Sequence, residues 1–85
     1  MITMYDFIKL SLDDRIDKVL EDGVFLTGTQ KKGDGYALMD LHGFYVEFRY
    51  NLVTKDVKEV IPFRKGKKLD FYIKYISLRD LHQKH

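Results

Sequence analysis

The residues best equipped for chemistry fall in two short stretches. "RKGKK" gathers Arg64, Lys65, Lys67 and Lys68 around Gly66, and "FYVEFRY" sets Tyr45, Glu47 and Arg49 between apolar neighbours. A loop of cations, joined by Arg49 and Lys58, could hold phosphates while Tyr45, Tyr72 or Tyr75 stack on bases. The same cations also describe a solvated surface, the commoner use of such a run. Glu47 and Arg49 could stand in solvent, pair with a helix residue such as Arg15, or line a shallow groove with Tyr45.

Other chemistries lack their parts. The histidines are His42, expected in a turn, and His82 with His85, whose spacing could chelate a metal only loosely. "KKGDGY" has no Lys-Ser/Thr after its glycines, so nothing cradles a nucleotide phosphate. Cys is absent, Ser11 and Ser77 are in or near expected helices, and neither serine stands in a nucleophile elbow. Asp13 with Asp14, and Asp56 with Glu59, read as ordinary surface carboxylates rather than acid/base pairs. The sequence therefore points to no catalytic residues, no metal and no cofactor.

Secondary structure must position these side chains. Thr3 with Asp6 three residues on, and "SLDD" at Ser11 to Asp14, are two successive helix starts, which predict an N-terminal helix broken or kinked at Ser11. Leu12, Ile16, Val19 and Leu20 share one face, and Gly23 stands where a left-handed C-cap belongs. Asp13, Asp14 and Asp17 suit the positive end of the helix dipole. After Gly23 the apolar period shortens to that of a strand. "GVFLTGTQ" and "YALMDL" read as strands joined by "KKGDG", and His42-Gly43 reads as a tight hairpin turn.

Residues 44 to 50 alternate strictly. Phe44, Val46, Phe48 and Tyr50 are the expected core face, and Tyr45, Glu47 and Arg49 the opposite one. "NLVTKD" turns into a fourth strand, "VKEVIPF", where Pro62 marks a strand end or an edge. In 69–78 the residue types favour strand, while Leu69, Tyr72, Ile73 and Ile76 form a helical stripe exposing Asp70 and Lys74. Helix is the preferred reading. Residues 79–85 are an expected frayed tail.

The expected fold class is α+β: an N-terminal helix, a four-stranded antiparallel meander and a C-terminal helix. At 85 residues, 45% of them hydrophobic and twelve of them Phe or Tyr, the chain is expected to form a single domain, 1–85, with one core. Absence of Cys, of a basic leader and of a long apolar run points to a cytoplasmic protein. Net charge is +2, unevenly divided: residues 1–42 hold five Lys/Arg and eight Asp/Glu, and residues 43–85 hold ten and five. Such a split can offer a basic face to an anionic partner or draw the halves together on folding.

With Phe7, Leu10, Ser11 and Arg15 as "F-x-x-L-S-x-x-x-R" and Gly43 to Glu47 as "G-F-Y-V-E", residues 3 to 78 resemble a group of short bacterial proteins. That resemblance implies a fold and no activity. Separately, the meander from Tyr36 to Lys68 is similar to the sheet of ribosome-dependent messenger-RNA endonuclease toxins, whose Arg, Lys and Tyr side chains hold phosphate and move protons. It implies such roles for Arg49, Arg64 and Lys68. The chain departs from that family in having no strand before the first helix, a short helical part and a modest net charge.

The reading that follows is a small protein-binding module without catalysis, acting through an open sheet face or an exposed edge, with a protein partner or a second copy. A single sheet layer covered by short helices is expected to leave one side open, lined by Tyr45, Glu47 and Arg49. The alternative is an RNA-binding protein or toxin-like ribonuclease using Arg64, Lys65, Lys67 and Lys68.

Overall fold

Hydroxyl caps start both N-terminal helices. The computed structural model describes residues 2–64 and 66–74. In it Thr3 Oγ1 accepts from the Asp6 amide at 3.1 Å to open α1 (Met4–Ile8), and Ser11 Oγ accepts from the Asp14 amide at 3.2 Å to open α2 (Leu12–Asp22). The helical run is thus broken before Ser11, as two competing caps require.

Four strands follow: β1 (Val24–Lys31), β2 (Asp34–Asp40), β3 (Tyr45–Asn51) and β4 (Val57–Phe63). They form one antiparallel sheet in the order β1-β2-β3-β4. Residues 67–74 are a further helix, α3, so the fold is α+β. Each turn has its own device. Lys32 (φ 53°) and Gly33 (φ 83°) are both left-handed, the backbone a two-residue hairpin with right-handed strand twist prefers. His42 (φ 51°) and Gly43 (φ 104°) repeat the pattern inside a Leu41 to Phe44 hydrogen bond of 2.8 Å. In the third turn Asn51 Oδ1 accepts from the amides of Val53 and Thr54.

The main core lies between the sheet and α1/α2. It joins Phe7, Val19, Leu41, Phe44, Val46 and Val60, with Ile16, Met39 and Phe48 packed around them. Phe7 meets Phe44 edge to face, 5.6 Å between ring centroids. Both helices pack chiefly on β4. That placement explains why Leu20 is 69% exposed although it belongs to the apolar stripe that buries Val19.

Arg15 ties this layer together. Its guanidinium donates to the Ile8 carbonyl at 2.6 Å and to the Val60 carbonyl at 2.9 Å, and lies 5.7 Å from the Phe7 ring centre. One side chain therefore satisfies a carbonyl near the end of α1 and one on the edge strand β4. Pro62, which has no N–H to offer, occupies the same strand.

Two expectations need correction. Gly23 is extended (φ −79°, ψ 154°) rather than left-handed. Its amide donates to the Val19 carbonyl at 2.8 Å, and a Cβ there would stand 2.6 Å from that carbonyl oxygen, so crowding and not positive φ explains the glycine. The second correction concerns the layers. Helix α3 crosses the face opposite α1 and α2, so the sheet carries helices on both sides.

Candidate functional site

Strand alternation aims Val46 at the main core and Glu47 at the other face, where Leu38 and Thr27 lie beside it on the neighbouring strands. These three are buried, Glu47 to 7% exposure, because α3 lies over them. Lys68 and Tyr72 stand four residues apart on α3 and so share one helix face. Lys68 Nζ is 2.7 Å from Glu47 Oε1, and the Tyr72 hydroxyl donates to Oε2 at 2.6 Å. Each carboxylate oxygen therefore receives its own donor, which a buried carboxylate requires. Burial, followed by the hydrogen bond to Glu47 and the charge of Glu47, holds the Tyr72 phenol well above its ordinary value of 10.0.

The open face expected around Tyr45, Glu47 and Arg49 is thus closed at its middle. Tyr45 is half-buried and stacks on Phe63 with ring centroids 5.7 Å apart. Arg49 joins a network of charges at the far end of β3: Nη1 is 2.9 Å from Glu59 Oε1, Nε is 3.6 Å from Asp34 Oδ2, and Lys58 Nζ is 2.7 Å from Asp34 Oδ1. Arg15 is engaged with carbonyls, so the pairing of Glu47 or Arg49 with Arg15 is replaced by the pairs described. The three side chains share a face without forming one surface.

The cations of the other stretch separate too. Arg64 and Lys67 are exposed, Lys68 is turned inward onto Glu47, and Lys65 lies outside the described residues, as do Tyr75, Ser77, His82, His85 and the tail 79–85. Tyr72 is buried to 1% exposure and its ring is unavailable for stacking on a base. Along α3, Tyr72 is the buried member of the expected stripe, Leu69 is half-buried and Ile73 exposed, while Ile76 lies outside the described residues.

One feature has no counterpart among the expectations from sequence, and a second gives residues to the exposed edge expected there. A cavity of about 400 Å³ opens between α3 and the β1–β2 half of the sheet, with Glu47, Lys68 and Tyr72 at its inner end and Gln30, Lys31, Tyr36, Lys67 and Phe71 around it. The i, i+4 pair Lys68 and Tyr72 was the available signal for it. At the sheet's β1 edge, Val24, Phe25 and Leu26 are 61%, 60% and 44% exposed. Leu26 sits in a bulge between Phe25 and Thr27 and has no partner residue on β2. Beside this run, on the α2 side of the sheet, Phe25, Ala37 and Tyr50 border a shallow groove of about 600 Å³.

Among the described residues no helix is long and apolar enough to cross a membrane. Comparison with known protein families, with curated proteins and with solved structures returned no match.

Proposed function

We propose that the domain is a small protein-interaction module that works through the β1 edge, and that the edge receives β1 of a second copy. The observation carrying this reading is the exposed run Val24, Phe25 and Leu26 on an edge strand. Three consecutive large apolar side chains in water on such a strand are a template for pairing with another chain, and monomeric proteins ordinarily blunt that template with charge, proline, a bulge or a covering element, of which residues 24–26 have, among the described residues, only the bulge at Leu26.

The choice of a second copy rests on charge. Glu21 and Asp22 end α2 just before β1, and Lys32 begins the turn just after it. Antiparallel pairing of two β1 strands about a two-fold axis near Thr27 brings the acidic end of each against the basic end of the other.

Sedimentation equilibrium tests the proposal. The expected result is a dimer at about 0.1 mM protein that weakens with added salt, and a monomer with unchanged far-UV circular dichroism for the Phe25→Lys, Leu26→Lys variant. A wild-type monomer at that concentration, or a variant that still dimerises, overturns it.

A further inference from the structure

We propose that the cavity beneath α3 is a binding site for a small anion carried on a flat aromatic ring. Its volume, about 400 Å³, falls within the range of small-molecule sites. Charge sets the sign of the ligand: Lys31, Lys67 and Lys68 line the space against one carboxylate, Glu47, three positive groups to one negative. Glu47 occupies a single hydrogen-bonding position of Lys68, whose ammonium has three donors, so Lys68 can bridge the carboxylate and a ligand anion.

The walls set the ligand's shape. Tyr36 and Phe71 face the same space, and Phe71 is held edge to face on Tyr72, ring centroids 5.5 Å apart. Aromatic walls accept a flat ring through offset or edge contacts, and Lys68, with the exposed Lys67 on the same helix, suits an anionic substituent on that ring. Gln30 supplies an amide with both donors and an acceptor at the rim, which suits the polar edge of such a ring. Mononucleotides and aromatic carboxylic acids both carry this chemistry. The inner end is built rather than incidental, because Glu47 and Tyr72 are buried and hydrogen-bonded to one another.

The test is a titration of the full chain, followed by amide ¹H–¹⁵N spectra, with adenosine 5′-monophosphate, 4-hydroxybenzoate and inorganic phosphate as separate probes. The expected result is saturable shifts at Gln30, Tyr36, Lys67 and Phe71 for at least one aromatic anion, with a Kd of about 1 mM or below. Saturation by the nucleotide alone assigns a nucleotide site, and saturation by the benzoate alone an aromatic-acid site. Lys67→Glu changes an exposed side chain and is expected to weaken binding about tenfold or more while leaving the melting temperature unchanged, and Phe71→Leu, which keeps an apolar side chain against Tyr72 but removes the flat ring, is expected to weaken the aromatic probes by a similar factor. Failure of both aromatic probes to saturate by about 10 mM, phosphate binding as well as either of them, or equal affinity in both variants overturns the proposal.

Discussion

Replacing Tyr72 by Phe removes one oxygen from between α3 and the sheet and keeps the ring. The hydroxyl lost is a donor to a carboxylate that is itself buried, at 2.6 Å. Hydrogen bonds to charged groups contribute about 1.5–3 kcal/mol, and an oxygen of Glu47 would be left without its donor, so a loss of about 2 kcal/mol is expected. Small domains are stable by only about 5–15 kcal/mol, and at this chain length each kcal/mol corresponds to about 4–8 °C in melting temperature. Thermal and urea unfolding at neutral pH should therefore show Tyr72→Phe melting about 8–16 °C lower.

The same pair of proteins carries a pH signature. The folded state holds the Tyr72 proton well above the ordinary value of 10.0, so above that pH the unfolded chain releases a proton that the folded chain keeps. The contribution of Tyr72 is fully present below pH 10 and is lost as the solution becomes more alkaline. The stability gap between wild type and Tyr72→Phe should then shrink by up to about 1.4 kcal/mol per pH unit, while titrations common to both proteins cancel. A gap below about 0.5 kcal/mol at neutral pH, or one that widens above pH 10, would refute the docking of α3 through Glu47. Replacing the group as a whole with Glu47→Leu, Lys68→Met and Tyr72→Phe is expected to restore stability to near the wild-type value, since an apolar set of similar volume removes the buried carboxylate together with its two donors.

Two further outcomes follow from the packing. Arg15→Met keeps much of the side-chain volume but leaves the Ile8 and Val60 carbonyls without their donor, and should lower the urea-derived stability by about 2 kcal/mol; a loss under half of that would mean water replaces the guanidinium. Gly35→Ala drives a methyl into the ring of Tyr50 across the strand pair and should cost about 1–3 kcal/mol, read as a lower melting temperature, with Tyr50→Ala in the same chain recovering part of the loss.

The parts of the fold legible in the sequence were those set by local chemistry. Thr3 and Ser11 act as caps because a hydroxyl at that place satisfies amides within its own turn. His42-Gly43 and Lys32-Gly33 turn because glycine accepts the backbone required. Strict alternation likewise separated Val46 from Glu47. What alternation does not contain is the identity of the layer on each side of the sheet. Glu47 reads as solvent-facing because a charge in a strand ordinarily is, and its burial depends on Lys68 and Tyr72, more than twenty residues away along the chain. Leu20 and Val24 to Leu26 reveal the same limit from the other direction. Their types predict burial, yet α1 and α2 lean toward β4 and leave Leu20 and Phe25 in water, while Val24, on the α3 face by its register with Asp40 and Tyr45, and Leu26, in the bulge, are exposed at the β1 edge.

The two rims of the sheet are treated very differently. On the β4 rim a guanidinium already occupies the Val60 carbonyl and a proline interrupts the row of donors, so an incoming backbone finds no continuous ladder there. With β1 paired as proposed, two such sheets joined along that rim would expose only their β4 rims, which offer no continuous ladder, so growth would halt at a pair instead of running on into a fibre.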